Sequence, residues 1–246
     1  MPFSHDQRIA RAAELADAHP ESREILQFYA ALSRFQKRIF LEATARGATR
    51  VESLVEYFPE FLALLREAGP HGLAESGARL CDPAALGELL EECWSGSLPP
   101  DWFFGRALIA PFAESLAARG QIDPQWSDPA CPFCGARPAV AVLRGEGDGG
   151  KRSLLCSLCA TEWQFRRILC PNCGEGDKDK LPVYIADEFE HVRVEACDSC
   201  MCYVKAVDLT KYGRAVPVVD EIATAALNIW AEEHGYSKIA PNAVGM

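Results

Sequence analysis

Residues 154–175 read LLCSLCATEWQFRRILCPNCGE and contain two Cys-x-x-Cys pairs, Cys156/Cys159 and Cys170/Cys173, ten residues apart. A third pair opens CPFCG (Cys131/Cys134) and a fourth closes CDSC (Cys197/Cys200). Eight thiols at such spacing can be disulfides, redox centres or metal ligands. A Cys-x-x-Cys turn brings both sulfurs to one side and lets following backbone N–H groups point back at them. Two such turns supply four thiolates for a tetrahedral ion, a geometry that suits zinc or iron.

The gaps suggest how the pairs combine. Between Cys134 and Cys156 lie 21 residues, and between Cys173 and Cys197 lie 23. Each fits a hairpin that leaves one turn and returns to the next. The expected sets are Cys131, Cys134, Cys156 and Cys159, then Cys170, Cys173, Cys197 and Cys200. A cross-braced pairing, first with third and second with fourth, is the alternative. The intervening sequence agrees with hairpins: ARPAVAVLRGEGDGGKRSLLC has a β-prone run, a Gly/Asp turn and a second run. KLPVYIADEFEHVRVEAC has VYI, an acidic turn, and alternating Val192 and Val194. ATEWQFRRILC and MCYVKAVDL are further expected strands. A thioredoxin-type redox role fits poorly, because it needs a single pair opening a helix after a strand.

Upstream the composition changes. Residues 1–125 are rich in Ala, Leu, Glu and Arg, which favour helix. In ESREILQFYAALSRFQKRIFLEATARG, residues Ile25, Phe28, Tyr29, Leu32, Phe35 and Ile39 recur at steps of three and four, and Gly47 is the expected stop. VESLVEYF either bends at Pro59 or ends there, with Pro59 in the first turn of the next helix. DPAALGELLEECW offers Asp82 as N-cap and Pro83 behind it. DWFFGRALIAPFAESLAARG gives another helix, disturbed near Pro111. QIDPQWSDPA, residues 121–130, is the junction. Downstream, VPVVDEIATAALNIWAEEHGY predicts a helix burying Val219, Ile222, Ala226, Ile229 and Trp230 and stopping at Gly235. The expected class is therefore α+β: a helical N-terminal bundle (1–125), two tandem rubredoxin- or zinc-ribbon-like β units (126–168 and 169–215), and a C-terminal helix and tail (216–246).

Charge and composition exclude several functions. The net charge of −10 argues against nucleic acid, whose binders carry a basic surplus. Lys151, Arg152, Arg166 and Arg167 form a local basic group, read as a solvated or protein-contact face. No run of about 18 apolar residues predicts membrane insertion. The N-terminus lacks the apolar core of a secretory signal. In a reducing compartment, clustered thiols are metal ligands rather than disulfides. No catalytic constellation is apparent, so no enzyme activity is expected. Of the remaining cysteines, Cys81 and Cys93 are expected to be buried and inert, and Cys202 an ordinary reduced thiol, a spare ligand or a metal-exchange thiol. His5, His19 and His71 are expected on the surface, as is His191 on its hairpin. Trp163 is either a docking residue beside Arg166 and Arg167 or a core staple.

The motifs CPFCGARPAV, LLCSLCATEWQFRRILCPNCGE, VEACDSCMCYVK and EEHGYSKIAPN resemble the formate dehydrogenase accessory protein family FdhE, and AELADAHPESREILQFYAALSRFQ resembles it more loosely. Thr161-Glu162-Trp163 is the most telling detail, since a metal ribbon does not require it. The resemblance implies a cytoplasmic assembly factor for respiratory formate dehydrogenase that binds the catalytic subunit before twin-arginine export. It also implies rubredoxin-like four-cysteine sites able to hold iron, on the eight cysteines named above. Two metal ions per chain, iron or zinc, follow. A rubredoxin-like electron carrier is the alternative.

Overall fold

The computed structural model describes residues 3–47, 50–146 and 149–246. Its N-terminal half is helical. Helix α1 (His5–Ala18) starts at a reciprocal cap, in which Ser4 and Gln7 exchange side-chain-to-backbone hydrogen bonds. Helix α2 (Arg23–Arg46) buries Phe28, Tyr29, Leu32, Phe35 and Ile39 from the expected stripe, with Ile25 half-buried, and ends at Gly47. Val51–Tyr57 form a 3₁₀ turn, and α3 (Phe58–Ala68) begins there with Pro59 in its first turn, so the proline starts a helix rather than bending one. Helices α4 (Leu73–Ala78), α5 (Pro83–Trp94) and α6 (Trp102–Ala117) complete the body. Asp82 caps α5 by accepting the Ala84 N–H at 3.1 Å. α6 continues through Pro111.

Helix α6 ends before Gly120, where the ring of Phe133 from the first cysteine turn lies too close for any Cβ. Of the three adjacent aromatics at the start of α6, Phe104 is buried, while Trp102 and Phe103 are half-buried against the same core. That core runs without a break from Phe28, Phe61 and Phe112 into Cys131, Cys156, Cys159, Trp163 and Val204. The cysteine-rich half is thus packed into the helical body's own core.

The strands are β1 (Pro138–Glu146), β2 (Gly149–Cys156), β3 (Glu162–Gln164), β4 (Val183–Ile185), β5 (Val192–Cys197), β6 (Cys202–Asp208) and β7 (Ser237–Lys238). The expected Gly/Asp turn between β1 and β2 includes residues 147–148, which lie outside the described residues. The two ribbons do not stand apart. β1 pairs in parallel with β6, through Val140–Leu143 against Lys205–Asp208, and joins them into one sheet of order β3-β2-β1-β6-β5-β4. β7 pairs with the start of β6. In ATEWQFRRILC only Glu162–Gln164 is strand.

One sheet face, carrying Val140, Val142, Val194, Tyr203 and Val207, packs under the C-terminal helices α7 (Pro217–Ala223) and α8 (Ala225–Glu233). The single C-terminal helix expected from the sequence is two. The chain breaks at Thr224, whose hydroxyl donates to Asp220 O, and the break resets the helical phase. Val219 and Ile222 are buried as expected. Ala226 and Ile229 face outward, and Leu227 and Ala231 take their places.

α7 is wedged between α1 and the sheet by two consecutive acids. Asp220 takes the Arg11 guanidinium of α1 through both oxygens, at 2.5 and 3.1 Å, and lies 2.8 Å from His191 Nε2. Glu221 faces the sheet, where it meets Lys205 Nζ at 2.9 Å and Lys238 Nζ at 2.5 Å. Lys205 is fully buried. Such a lysine is tolerated only because a carboxylate and the carbonyls of Glu221 and Thr224 surround it. Two expectations fail here. His191 is half-buried on Asp220, and His5 is buried beside Glu114 and Phe40, because the cap at Ser4 turns the first residue of α1 inward. His71 is exposed as expected, and His19 is partly covered by Phe189.

Candidate metal centres

The eight thiols gather into two groups, Cys131/Cys134/Cys156/Cys159 and Cys170/Cys173/Cys197/Cys200, with all sulfurs of each group within 4.8 Å of one another. The pairing is sequential, not cross-braced. In the first group Cys131 lies 3.4 Å from Cys159, and Cys134 lies 3.3 Å from Cys156. In the second, Cys170–Cys200 and Cys173–Cys197 are both 3.7 Å. A disulfide needs about 2.05 Å. A tetrahedron of sulfurs about 2.3 Å from a zinc ion has edges of about 3.8 Å. The donor set and its spacing therefore fit a four-coordinate thiophilic ion, and zinc and iron both meet that description.

The local sequence explains the geometry. In CPFCG and CPNCG the N–H of Gly135 and Gly174 donates to the carbonyl of the first cysteine at 3.0 Å. Both glycines hold φ near +70 to +78°, a region costly for other residues. The returning turns lack glycine, yet Ala160 and Met201 occupy the same place at φ of 50 and 52°. Those turns close antiparallel strands, and the sheet imposes the conformation: Cys197 faces Cys202 across β5 and β6. Backbone N–H groups point at the sulfurs, Leu158 and Cys159 at Cys156 and Asn172 at Cys170, at 3.3–3.4 Å. They favour thiolate, the form a metal binds. Burial pushes Cys197 up to about 12, against the N–H groups of Cys200 and Ser199. At Cys200 burial is outweighed by Asn172 and Cys173, and the thiol falls to about 7.

The two centres differ in surroundings. The first is the more buried: Cys131, Cys156 and Cys159 are buried, Cys134 is half-covered, and Thr161 Oγ1 sits 3.1 Å from Cys159. The second opens to solvent, with Cys173 exposed and Cys200 half-covered. Cys202 lies beside the second group without joining it. Its sulfur is 3.4 Å from Cys200 O and 3.2 Å from Asn172 Nδ2.

Other expectations resolve as follows. Trp163 is buried at 2% exposure, its Nε1 donating to Asp128 O at 3.1 Å, so it is a core staple and not a docking residue. The basic group does not form one face. Arg152 is buried, donating to Glu195 and to Arg166 O, whereas Arg166 and Arg167 are exposed. Cys93 is buried, but Cys81 is exposed, since it precedes the cap of α5. Sequence reasoning passed over Arg106, whose Nη2 donates to Ser157 Oγ inside the CSLC turn at 2.8 Å. The available signal was a lone cation in the apolar run WFFGRALIAPF.

A helical body fused through one core to a mixed sheet bearing two four-thiol groups defines a class: an α+β protein with paired ribbon-type sites. Comparison with known proteins narrows it. Residues 130–167 match the model "FdhE, central domain" and residues 168–244 match "FdhE, C-terminal domain". The chain is 27% identical over 265 residues to the FdhE homolog of Aquifex aeolicus, covering 96% of this chain and 94% of that one. It is 35% identical over 148 residues to the homolog of Pseudomonas putida, an alignment spanning 46% of that relative. The crystal structure of FdhE from Pseudomonas aeruginosa superposes with a TM-score of 0.70 at 25% identity, covering 98% of this chain and 95% of the other. The two domain models, the relative matched almost end to end and the crystal structure all support the FdhE family for this chain.

Proposed function

We propose that this chain is a cytoplasmic assembly factor for respiratory formate dehydrogenase that binds the enzyme's catalytic subunit, and that its eight turn cysteines hold two metal ions, iron or zinc. The observation that carries the reading is the near end-to-end agreement with the FdhE crystal structure, in which helical body and ribbons are matched together. The four-thiol groups support it chemically, because closed tetrahedral thiolate sites brace small β units that lack enough core to fold alone. No helix among the described residues is long and apolar enough to cross a membrane.

The test is an oxygen-free pull-down with tagged protein from cells expressing formate dehydrogenase, with bound chains identified by mass and metal measured on the same sample. Capture of the catalytic subunit by metal-loaded protein is the expected result. Metal-loaded protein that captures no such subunit overturns the assembly reading. A reversible colour change on reduction would then favour iron-based electron transfer, a role for which exposed Cys173 would be the point of contact.

A further inference from the structure

We propose that Arg106 is the counter-charge of the first metal centre, so that metal binding there and docking of the helical body onto the sheet are a single event. The inference rests on the reading that Cys131, Cys134, Cys156 and Cys159 hold a metal. Arg106 projects from the second turn of α6, in a segment otherwise apolar from Trp102 to Phe112. Its Nη2 bonds Ser157 Oγ at 2.8 Å, and Ser157 directly follows Cys156. The guanidinium lies over Trp102 at 5.8 Å and lines one cleft with Cys134 and a second with Cys156.

Among the described residues no carboxylate comes within ion-pair distance of Arg106. Burial works against its charge, and the groups placed to oppose that are the cysteines Cys156, Cys134 and Cys93. A half-buried guanidinium without an anion is costly. Four neutral thiols cannot compensate it. Four thiolates around a divalent ion carry a net charge of −2, and they can. Loading the centre therefore creates the anion that Arg106 lacks, and Arg106 in turn stabilises the charge that loading creates.

The second centre needs no such partner. Cys173 is exposed, so water solvates its charge. Arg137, which bonds Asn172 in the CPNC turn, is itself on the surface. The two centres are thus unequal. The first is locked by an arginine from another layer of the fold, and the second exchanges with solvent. An outer residue that fixes or neutralises a ligand set commonly changes metal affinity tenfold or more.

The test is zinc release from the full, zinc-loaded chain into a chromogenic chelator, following stoichiometry and rate together. Wild type should release two equivalents, a fast one from the second centre and a slow one from the first. Arg106→Gln should speed the slow phase at least tenfold and leave the fast phase unchanged, while Arg106→Lys, which keeps the charge, should stay within about threefold of wild type. Limited proteolysis gives a second readout: cleavage in 121–130 should follow the slow phase in each variant. An unchanged slow phase in Arg106→Gln overturns the proposal, as does Arg106→Lys behaving like Arg106→Gln. If neither Arg106→Gln nor the apolar Arg106→Met folds, Arg106→Lys decides: a slow phase retained supports the charge, and one lost overturns it. Wild type that binds neither zinc nor iron at four-thiol stoichiometry overturns the underlying metal reading instead.

Discussion

Met201 follows the last cysteine of the second group with φ of 52°, and it is 42% exposed. A left-handed residue bearing a Cβ costs roughly 1–2 kcal/mol. Met201→Gly is therefore expected to stabilise the metal-loaded protein by about 1 kcal/mol, and Gly174→Ala to destabilise it by a similar amount. Urea titration of both variants under reducing conditions checks the pair, and equal signs would refute the argument. At Glu221 the forces are electrostatic. Burial alone would raise its carboxyl, but Lys205 and Lys238 overcome this and hold it at about 2. A carboxyl depressed on folding contributes stability that is complete above its unfolded value of 4.5 and is lost as pH falls toward 2. Glu221→Gln leaves Lys205 buried without its anion and should cost about 3–5 kcal/mol at pH 7. The gap between wild type and variant should narrow through pH 4 and 3, and a gap independent of pH would show that charge is not the cause.

At the scale of the element, α7 and α8 carry the clearest test, because their break at Thr224 separates two helical phases. Ile222 is fully buried on α7, whereas Ile229 on α8 is 60% exposed. A continuous helix would bury both. Ile222→Ala should cost about 2–5 kcal/mol and Ile229→Ala less than about 0.5 kcal/mol. Equal costs, read from thermal melts, would mean that the helix runs on through residue 224. The stripe from Val219 to Trp230 was visible in the sequence, but the break was not. Nothing in TAALN forbids helix. The reason for the break is tertiary: Lys205 Nζ draws on the carbonyls of Glu221 and Thr224, which an unbroken helix would bond internally.

Across the whole molecule, the parallel pairing of β1 with β6 turns two ribbons into one platform, and the shared core fixes that platform to the helices. Damage to the two centres should therefore differ in reach. Cys156→Ser and Cys173→Ser should each reduce bound metal from two ions to one. Cys156 ends β2 inside the shared core, so its loss should lower the melting temperature of the entire chain. Cys173 is exposed on a turn, so its loss should leave most of the melting transition in place. Metal analysis alongside calorimetry reads both, and identical melting curves for the two variants would contradict the unequal burial.

The grouping of the thiols and the helical stripes of α2, α3 and α5 were legible in the chain alone. Pairing of turns depends on loop length, and helix depends on local periodicity; both are properties of neighbouring residues. Cys131 through Cys200 could be sorted into two groups from two gaps of 21 and 23 residues, and α2, α3 and α5 from their stripes, caps and prolines. Packing across the fold decided the rest: that the ribbons share one sheet, that Trp163 and His5 are interior, that Glu221 and Asp220 clamp three layers, and that Arg106 reaches the CSLC turn. Each of these joins residues far apart in the chain, such as Arg11 to Asp220 and Arg106 to Ser157. Their partners are set by how layers stack, and no local pattern of charge or hydrophobicity records that.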